Sequence, residues 1–300
     1  MNLLTRKLSI ALVNSSLESP YHSYGDHWRD AFIDAGCDVT IYPYQDIGLI
    51  PPRHDLYFFV EIRYDCALIP WYLSPRVLYS WDSHIIDLSV FEGASKCFDK
   101  VLLASKIDVE SLKRRGTTNV AWVPEGCNPR VHRNLHADRP VKLGYIGHTN
   151  SSMARNGATK NDFIAYLTQS PYGLYREEGF YGEAYTAEQN KIKVMFDRTI
   201  GHNIGTRIFE SSAAGCVPLW SDARFDTGIE DLLVDGAHYV SYNDTIEGLE
   251  HVLTDLFMNE SRMTKIAKAA EQHVLNNHTY MHRVFQILKL LEIRHTRHIS

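Results

Sequence analysis

Residues 201–222 read GHNIGTRIFESSAAGCVPLWSD, a polar loop with two glycines followed by a segment rich in small residues and an apolar run. We predict a helix over residues 206–214 and a strand over residues 216–220. Small side chains such as those of Ser211 and Ala213 let a helix pack closely on a sheet. A loop, a short helix and a buried strand in this order indicate one unit of an α/β domain with a parallel sheet.

The same alternation of short strands and longer helices runs through the rest of the chain. Residues 7–14 predict a first strand, residues 22–35 a helix that ends at Gly36, and residues 38–42 the next strand. This order is typical of a parallel sheet with helices on both faces. Further strands are predicted at 56–60, 77–80, 100–104, 119–123, 141–147, 193–196 and 238–241, and further helices at 246–258, 261–276 and 279–293.

A break between two halves is predicted where prolines and polar residues accumulate, over residues 128–140. The second half then restarts with a strand and a glycine turn at residues 141–147, as a second Rossmann-like domain would. We therefore predict an N-terminal domain over residues 1–135, a C-terminal domain over residues 140–277 and a last helix within residues 278–300.

The composition favours a packed protein that does not rely on a cationic surface. The chain is 44% apolar and 22% charged, with a formal net charge of −5. Five widely spaced cysteines fit reduced thiols better than a disulfide framework or a zinc site. The first apolar run, residues 8–13, is too short to cross a membrane. We therefore predict a cytoplasmic protein without a transmembrane segment.

Arg207 and Glu210 are candidate ligand-binding residues at the start of the predicted helix. If Thr206 caps this helix, the two side chains lie on one face near its positive end, where an anion is favoured. Arg207 would donate to phosphate oxygens, and Glu210 would accept hydrogen bonds from ribose hydroxyls. The alternative is an ordinary Arg–Glu pair on a helix surface.

Residues 190–222, which include Arg207-Ile208-Phe209-Glu210, resemble the donor-binding segment of the group 1 glycosyltransferases, particularly the bacterial spore-maturation-like branch. His278-Thr279-Tyr280-Met281-His282-Arg283 resembles the closing signature of that branch. The resemblance implies a GT-B fold: two Rossmann-like α/β domains with a deep interdomain cleft and a C-terminal helix that crosses back to the N-terminal domain.

The resemblance also implies a glycosyltransferase that takes its sugar from a nucleoside diphosphate sugar, such as a UDP-sugar. The donor-binding residues that it implies are Lys193, Asn203, Arg207 and Glu210. Gly147 and His148, in the turn after residues 141–146, are the other candidate donor-binding residues. Lys193 would reach the donor phosphates, with a surface strand lysine as the alternative. Asp197 departs from the family, which usually has Asn there. Arg155 and Lys160 are further possible cations, with solvated helix residues as the alternative.

Asp82 and His84 are the candidate catalytic residues. They follow a predicted strand, so they lie at the carboxyl edge of the N-terminal sheet, where α/β proteins bind ligands. In the related group a polar residue of this area contacts the donor sugar or the acceptor. The alternative is a turn that Asp82 caps while Trp81 packs in the core.

No cofactor or metal is expected, because no Asp-x-Asp occurs at a strand end and cations can stabilise a leaving diphosphate. Retention of configuration is favoured only weakly, since His202 stands where retaining enzymes of the group often have a second Glu. The acceptor is left open among a glycan, a small molecule and modified DNA, and the oligomeric state is open too. The alternative functions are a nucleotide-sugar epimerase or hydrolase, a non-catalytic nucleotide-sugar or nucleic-acid binding module, and a glycosyltransferase of modified DNA bases.

Overall fold

The structure, a computed structural model, describes residues 6–14, 23–61, 66–148, 158–198, 202–222 and 226–293. The chain divides into two compact units, Met1–Glu125 with Tyr280–Ser300, and Gly126–Thr279. In the described ranges, no helix is both long and apolar enough to span a membrane.

The first unit is built on a parallel sheet of six strands in the order β2-β1-β3-β4-β5-β6. Successive strand residues point to opposite faces, so Phe58 packs against Trp28 and Phe32 on one face while Phe59 packs against Phe98 on the other. Both faces of this sheet are therefore buried. The strands are β1 (Ser9–Asn14), β2 (Asp38–Pro43), β3 (Leu56–Val60), β4 (Arg76–Ser80), β5 (Lys100–Leu103) and β6 (Val120–Trp122), with helices α1 (Tyr24–Asp34), α2 (Leu88–Ala94) and α3 (Lys106–Arg114).

The second unit has a parallel sheet of five strands in the order β11-β10-β9-β7-β8. The strands are β7 (Val141–Ile146), β8 (Leu174–Glu177), β9 (Ile192–Asp197), β10 (Val217–Asp222) and β11 (Val240–Asn243). The helices are α4 (Lys160–Gln169), α5 (Gly182–Gln189), α6 (Arg207–Ala213), α7 (Ile246–Met258) and α8 (Glu260–Asn277). Strand β8 was not predicted from the sequence. This edge strand is only partly buried and carries Arg176 and Glu177, so it lacks the apolar run of a buried strand.

Residues 128–140, predicted as a break between domains, are part of the second unit and are hydrogen-bonded within it. The backbone N–H of Leu135 donates to Asn190 Oδ1 at 2.7 Å, and Arg139 donates to the carbonyl of Ile192 at 2.8 Å. These bonds come from residues more than 50 positions away, so prolines and polar composition alone do not show them. The chain passes from the first unit to the second between Glu125 and Gly126, whereas the sequence predicts the boundary at residues 135–140.

The last helix, α9 (Tyr280–Leu290), belongs to the first unit. The Tyr280 ring packs against Trp28 at 5.1 Å and is stacked with His27 at 5.5 Å, measured between ring centroids. Arg283 donates two hydrogen bonds, of 3.0 and 2.9 Å, to the backbone carbonyl of Glu125. These two side chains attach the end of the chain to the first unit.

We expect Tyr280→Ala to destabilise the first unit strongly, because a ring that is 1% exposed leaves a cavity when it is removed. Such losses cost about 3–5 kcal/mol in free energy of unfolding, measurable by urea denaturation. Leu290→Ala is the matched control on the same helix, since Leu290 is 37% exposed. Equal destabilisation by the two variants would show that Tyr280 does not attach α9.

Candidate active site

Arg207 is fixed at the carboxyl edge of the second sheet, where β7 and β9 end. Its Nε donates to the carbonyl of Ile146 at 3.1 Å, and its Nη1 donates to Asp197 Oδ1 at 2.5 Å. The guanidinium lies over the Tyr145 ring, 4.6 Å from the ring centroid. Ile146 and Asp197 are the last residues of their strands, so Arg207 lies where α/β proteins usually bind ligands.

A second cation, Lys160, reaches the same carboxylate from the start of α4. Its Nζ lies 3.8 Å from Asp197 Oδ1 and 5.5 Å from the centroid of the Tyr145 ring. The side chain is only 6% exposed, so the alternative of a solvated helix lysine is wrong. Lys160 and Arg207 against Asp197 leave a net charge of +1 in this group, which favours an anionic ligand.

The surroundings keep the Arg207 guanidinium charged. Burial alone would lower its pKa, but Asp197, followed by Tyr145, Tyr185 and Glu210, raises the pKa above its ordinary value. Burial also raises the pKa of Tyr145, so its hydroxyl keeps its proton at neutral pH. That hydroxyl donates to a backbone carbonyl in the turn after β7.

The turn after β7 contains Gly147, whose φ of +143° is rarely adopted by residues with a side chain. A Cβ at this position would lie 2.6 Å from Nη2 of Arg207, so only glycine lets the backbone approach the guanidinium this closely. The Tyr145 hydroxyl holds the carbonyl of His148 at 2.7 Å, while the His148 ring is largely exposed and 3.8 Å from Glu178. Arg155, predicted as a possible cation, lies outside the described residues.

Glu210, one turn after Arg207, is buried beside a tyrosine and a histidine. Its Oε2 accepts a hydrogen bond of 2.8 Å from the Tyr185 hydroxyl, and its Oε1 lies 3.6 Å from His132 Nε2. The Nδ1 of His132 accepts the backbone N–H of Asn128 at 3.1 Å, so the neutral ring carries its hydrogen on Nε2, facing Glu210. Burial lowers the pKa of His132 to about 3, which keeps the ring neutral.

The structure does not bring Lys193 to this group. Lys193 is the second residue of β9 and Asp197 the last, so about 13 Å of strand separates them. The Lys193 ammonium instead pairs with Glu260 at 2.9 Å. Asn203 is buried in the loop before α6.

Thr206 precedes α6, but its side chain makes no capping hydrogen bond, because its own backbone is already helical. The helix itself has seven residues. The positive character of this edge therefore rests on the Arg207 and Lys160 side chains, and not on the capped helix start that the sequence analysis expected.

Asp82 and His84 lie in the turn after β4, at the carboxyl edge of the first sheet. Asp82 precedes a single 3-10 turn, Ser83–Ile85, and both candidate side chains are partly exposed. Asp82 makes no side-chain capping bond to that turn. Trp81 stacks on Tyr24, with ring centroids 4.1 Å apart, and is partly buried against the core.

Glu61 lies beside this turn and is a further candidate functional residue that was not predicted from the sequence. Glu61 follows β3 directly, is buried, and accepts hydrogen bonds from the Ser80 hydroxyl at 3.1 Å and the Trp81 backbone N–H at 3.0 Å. Its φ of +69° is unusual for a residue other than glycine, and such backbone cost is common at functional sites. The rule that selected Asp82, a polar residue directly after a buried strand, also selects Glu61.

Among the described residues, no group of three or more His, Cys, Asp and Glu side chains is arranged to hold a metal ion.

The architecture matches solved glycosyltransferase structures over nearly the whole chain. Sucrose-phosphate synthase (tll1590) from Thermosynechococcus elongatus has a TM-score of 0.65 at 10% identity, covering 95% of this chain and 98% of that one. An alpha-glucosyltransferase in complex with UDP-glucose and DNA containing an abasic site has a TM-score of 0.64 at 11% identity, covering 96% and 98%. Anabaena Alr3699/HepE in complex with UDP and glucose has a TM-score of 0.60 at 12% identity, covering 95% and 99%. The predicted α/β class with two parallel sheets of the GT-B type is confirmed.

The sequence similarity lies mostly in the second unit and continues into α9. A family model described as "Glycosyl transferase-like" matches residues 160–289, a range that includes Lys160, Asp197, Arg207 and Glu210. For this segment the match confirms the prediction of a glycosyltransferase-like enzyme. No match was found among curated protein sequences.

We expect His132 to reduce stability as the pH falls. The unfolded chain takes up a proton near pH 6.5, whereas the folded ring takes it up only near pH 3. Between these values the unfolded state binds more protons, so the free energy of unfolding decreases as the pH is lowered. At pH 5 this corresponds to about 2 kcal/mol relative to neutral pH.

His132→Gln removes this titration and keeps a polar side chain, so its free energy of unfolding should fall less between pH 7.5 and pH 5. Urea denaturation of both proteins at the two pH values measures the difference. Parallel pH dependence of the two proteins would mean that His132 is not held neutral.

Proposed function

We propose that this protein is a glycosyltransferase that uses a UDP-sugar as donor. The observation that carries the proposal is a pair of cations, the buried Lys160 and the half-buried Arg207, at the carboxyl edge of the second sheet beside the Gly147 turn. Their net positive charge suits a diphosphate. Two of the similar structures are complexes, one with UDP and glucose and one with UDP-glucose, which supports a uridine diphosphate donor. We retain the spore-maturation-like branch as the proposed relationship, on residues 190–222 and 278–283.

The donor-binding roles follow from where the side chains lie. Arg207 and Lys160 bind diphosphate oxygens, and Gly147 lets the backbone approach them. Glu210 accepts hydrogen bonds from the ribose hydroxyls, since an ionised carboxylate is an acceptor only. Tyr185 and His132 hold this carboxylate in place.

Two residues, His148 and Asn203, lie in the loops next to Gly147 and Arg207 along the chain and are proposed as contacts to the transferred sugar. His148 follows Gly147 in the turn after β7, and Asn203 lies in the loop before α6. Lys193 is not assigned a donor role.

In the transfer step, the bond between the sugar carbon and the diphosphate oxygen breaks and a bond to the acceptor oxygen forms. The electron pair stays on the leaving diphosphate, whose charge Arg207 and Lys160 stabilise. We propose that these cations do this work without a metal ion and that the configuration is retained, so the acceptor oxygen attacks the same face of the sugar from which the diphosphate leaves. The acceptor hydroxyl loses its proton to a side chain at the edge of the first sheet, for which Asp82, His84 and Glu61 are the candidates.

We expect Arg207→Ala and Lys160→Met to weaken UDP binding by about tenfold to a hundredfold each, since each removes a charge-assisted hydrogen bond. Isothermal titration calorimetry with UDP measures the dissociation constants. Lys142→Ala is the control, because Lys142 is an exposed lysine on β7. Unchanged UDP affinity in the Arg207 variant would refute the donor site.

We expect Asp82→Asn and Glu61→Gln to lower turnover of UDP-glucose and to leave UDP affinity unchanged, because these side chains serve the acceptor side. Glu110→Gln, at an exposed position on α3, is the control. The assay follows UDP release in the presence of EDTA, with mixed glycans, small alcohols and hydroxymethylated DNA as acceptors.

The products of this assay also separate the functions. A glycosylated acceptor supports transfer, and loss of its formation in EDTA contradicts metal independence. Free sugar identifies a hydrolase, a sugar isomer identifies an epimerase, and UDP binding without any turnover identifies a binding module.

A further inference from the structure

A cavity of about 460 Å³ lies at the edge of the second sheet opposite to the proposed donor site. Its walls include Lys193 and Val217, which lie at the amino ends of β9 and β10, and one side of helix α8. In a parallel sheet the amino and carboxyl ends of the strands lie on opposite edges, so this cavity is separate from Arg207 and Asp197. Its volume is in the range of sites for small organic molecules.

The side chains of the cavity suit a small organic anion. Arg139, Lys193 and Lys268 contribute three positive charges, and Glu260 and Glu271 contribute two negative charges, which leaves a net charge of +1. The two carboxylates are already engaged: Glu260 pairs with Lys193, and Glu271 accepts a hydrogen bond of 2.9 Å from Asn134.

The remaining wall includes apolar side chains from Val217, Met263 and Ala267, which would contact the uncharged body of a ligand. A ligand that satisfies both parts of the cavity carries a phosphate or a carboxylate on a small organic frame.

One wall residue, Arg139, connects the cavity to the proposed donor site. Its guanidinium donates to the carbonyl of Ala214, which is the C-terminal cap of α6, and also to the carbonyl of Ile192 at 2.8 Å. The first residue of α6 is Arg207. A helix of seven residues is about 10 Å long, so the two arginines hold the two ends of one short rigid element.

We propose that this cavity binds a small organic anion and that its occupancy weakens the binding of the donor diphosphate at Arg207. A bound anion competes with the Ala214 carbonyl for Arg139 and so loosens the C-terminal end of α6. The effect on donor binding rests on the proposed function, whereas the binding of an anion in the cavity does not. The proposal also accounts for Lys193, which lies in the glycosyltransferase-like segment but away from the donor site.

The binding test uses titration calorimetry with inorganic phosphate, glycerol 3-phosphate and citrate as probes. We expect at least one organic probe to bind the wild-type protein with a millimolar or lower dissociation constant. Lys268→Glu and Lys193→Met should weaken this binding at least about tenfold, the effect of losing one charge-assisted contact.

A control variant distinguishes this cavity from other cationic sites. Lys265→Glu, an exposed position on α8 that does not line the cavity, should leave the affinity unchanged. Failure of all three probes to bind, or loss of binding in Arg207→Ala but not in Lys268→Glu, would overturn the proposal.

The linkage test measures the UDP affinity of the wild type and of Lys268→Glu with and without the bound probe. We expect the probe to weaken UDP binding at least threefold in the wild type, because coupling between two sites changes the affinity of each ligand. We expect no effect in Lys268→Glu, because this variant binds the probe weakly. An unchanged UDP affinity in the wild type overturns the linkage. If UDP does not bind at all, the proposed donor site fails, while the binding test still decides whether the cavity binds an anion.

Discussion

The buried carboxylate of Asp197 is the constraint on which the proposed donor site depends. Two cations, Arg207 and Lys160, approach one Asp197 oxygen from different helices. Without that carboxylate their mutual repulsion and desolvation would both oppose burial. With it, the pair can stay in place and still leave one uncompensated positive charge. The departure from the family's usual Asn therefore has a physical role, because a neutral amide would leave both cations uncompensated.

The direction of the strands decides which residues can share this site. Ile146 and Asp197 end neighbouring strands of a parallel sheet, so a side chain that follows either strand reaches the same edge. Arg207 uses this arrangement by bonding to both residues. Lys193 begins the same strand that Asp197 ends, and it therefore belongs to the opposite edge whatever its similarity to a family position suggests.

The sequence was sufficient for the architecture and for part of the site. Strand periodicity predicts most of the two sheets, and the spacing of Arg207 and Glu210 predicts their shared location. From the sequence, Lys160 is only a possible cation, because it follows a long polar stretch and its partner Asp197 lies 37 residues further along the chain. The prediction of Lys193 rested on resemblance alone, and the rule that ligands bind at the carboxyl ends of strands argues against it. Burial of His132 and the docking of residues 126–140 depend on distant side chains such as Tyr185 and Asn190, which no local pattern specifies.

The short helix α6 explains why these polar groups occur together. Its residues Ser211, Ser212 and Ala213 are buried, so the helix packs closely on its neighbours and little space remains for it to shift. Arg207 fixes its first turn to the ends of β7 and β9, and Arg139 fixes its last carbonyl to the start of β9. Glu210 lies between these two attachments, and Tyr185 holds its carboxylate from a neighbouring helix. A ligand that binds Arg207 and Glu210 together therefore meets groups that are already ordered, so little conformational entropy is lost on binding. Because α6 is rigid, a displacement of either end also displaces the other end.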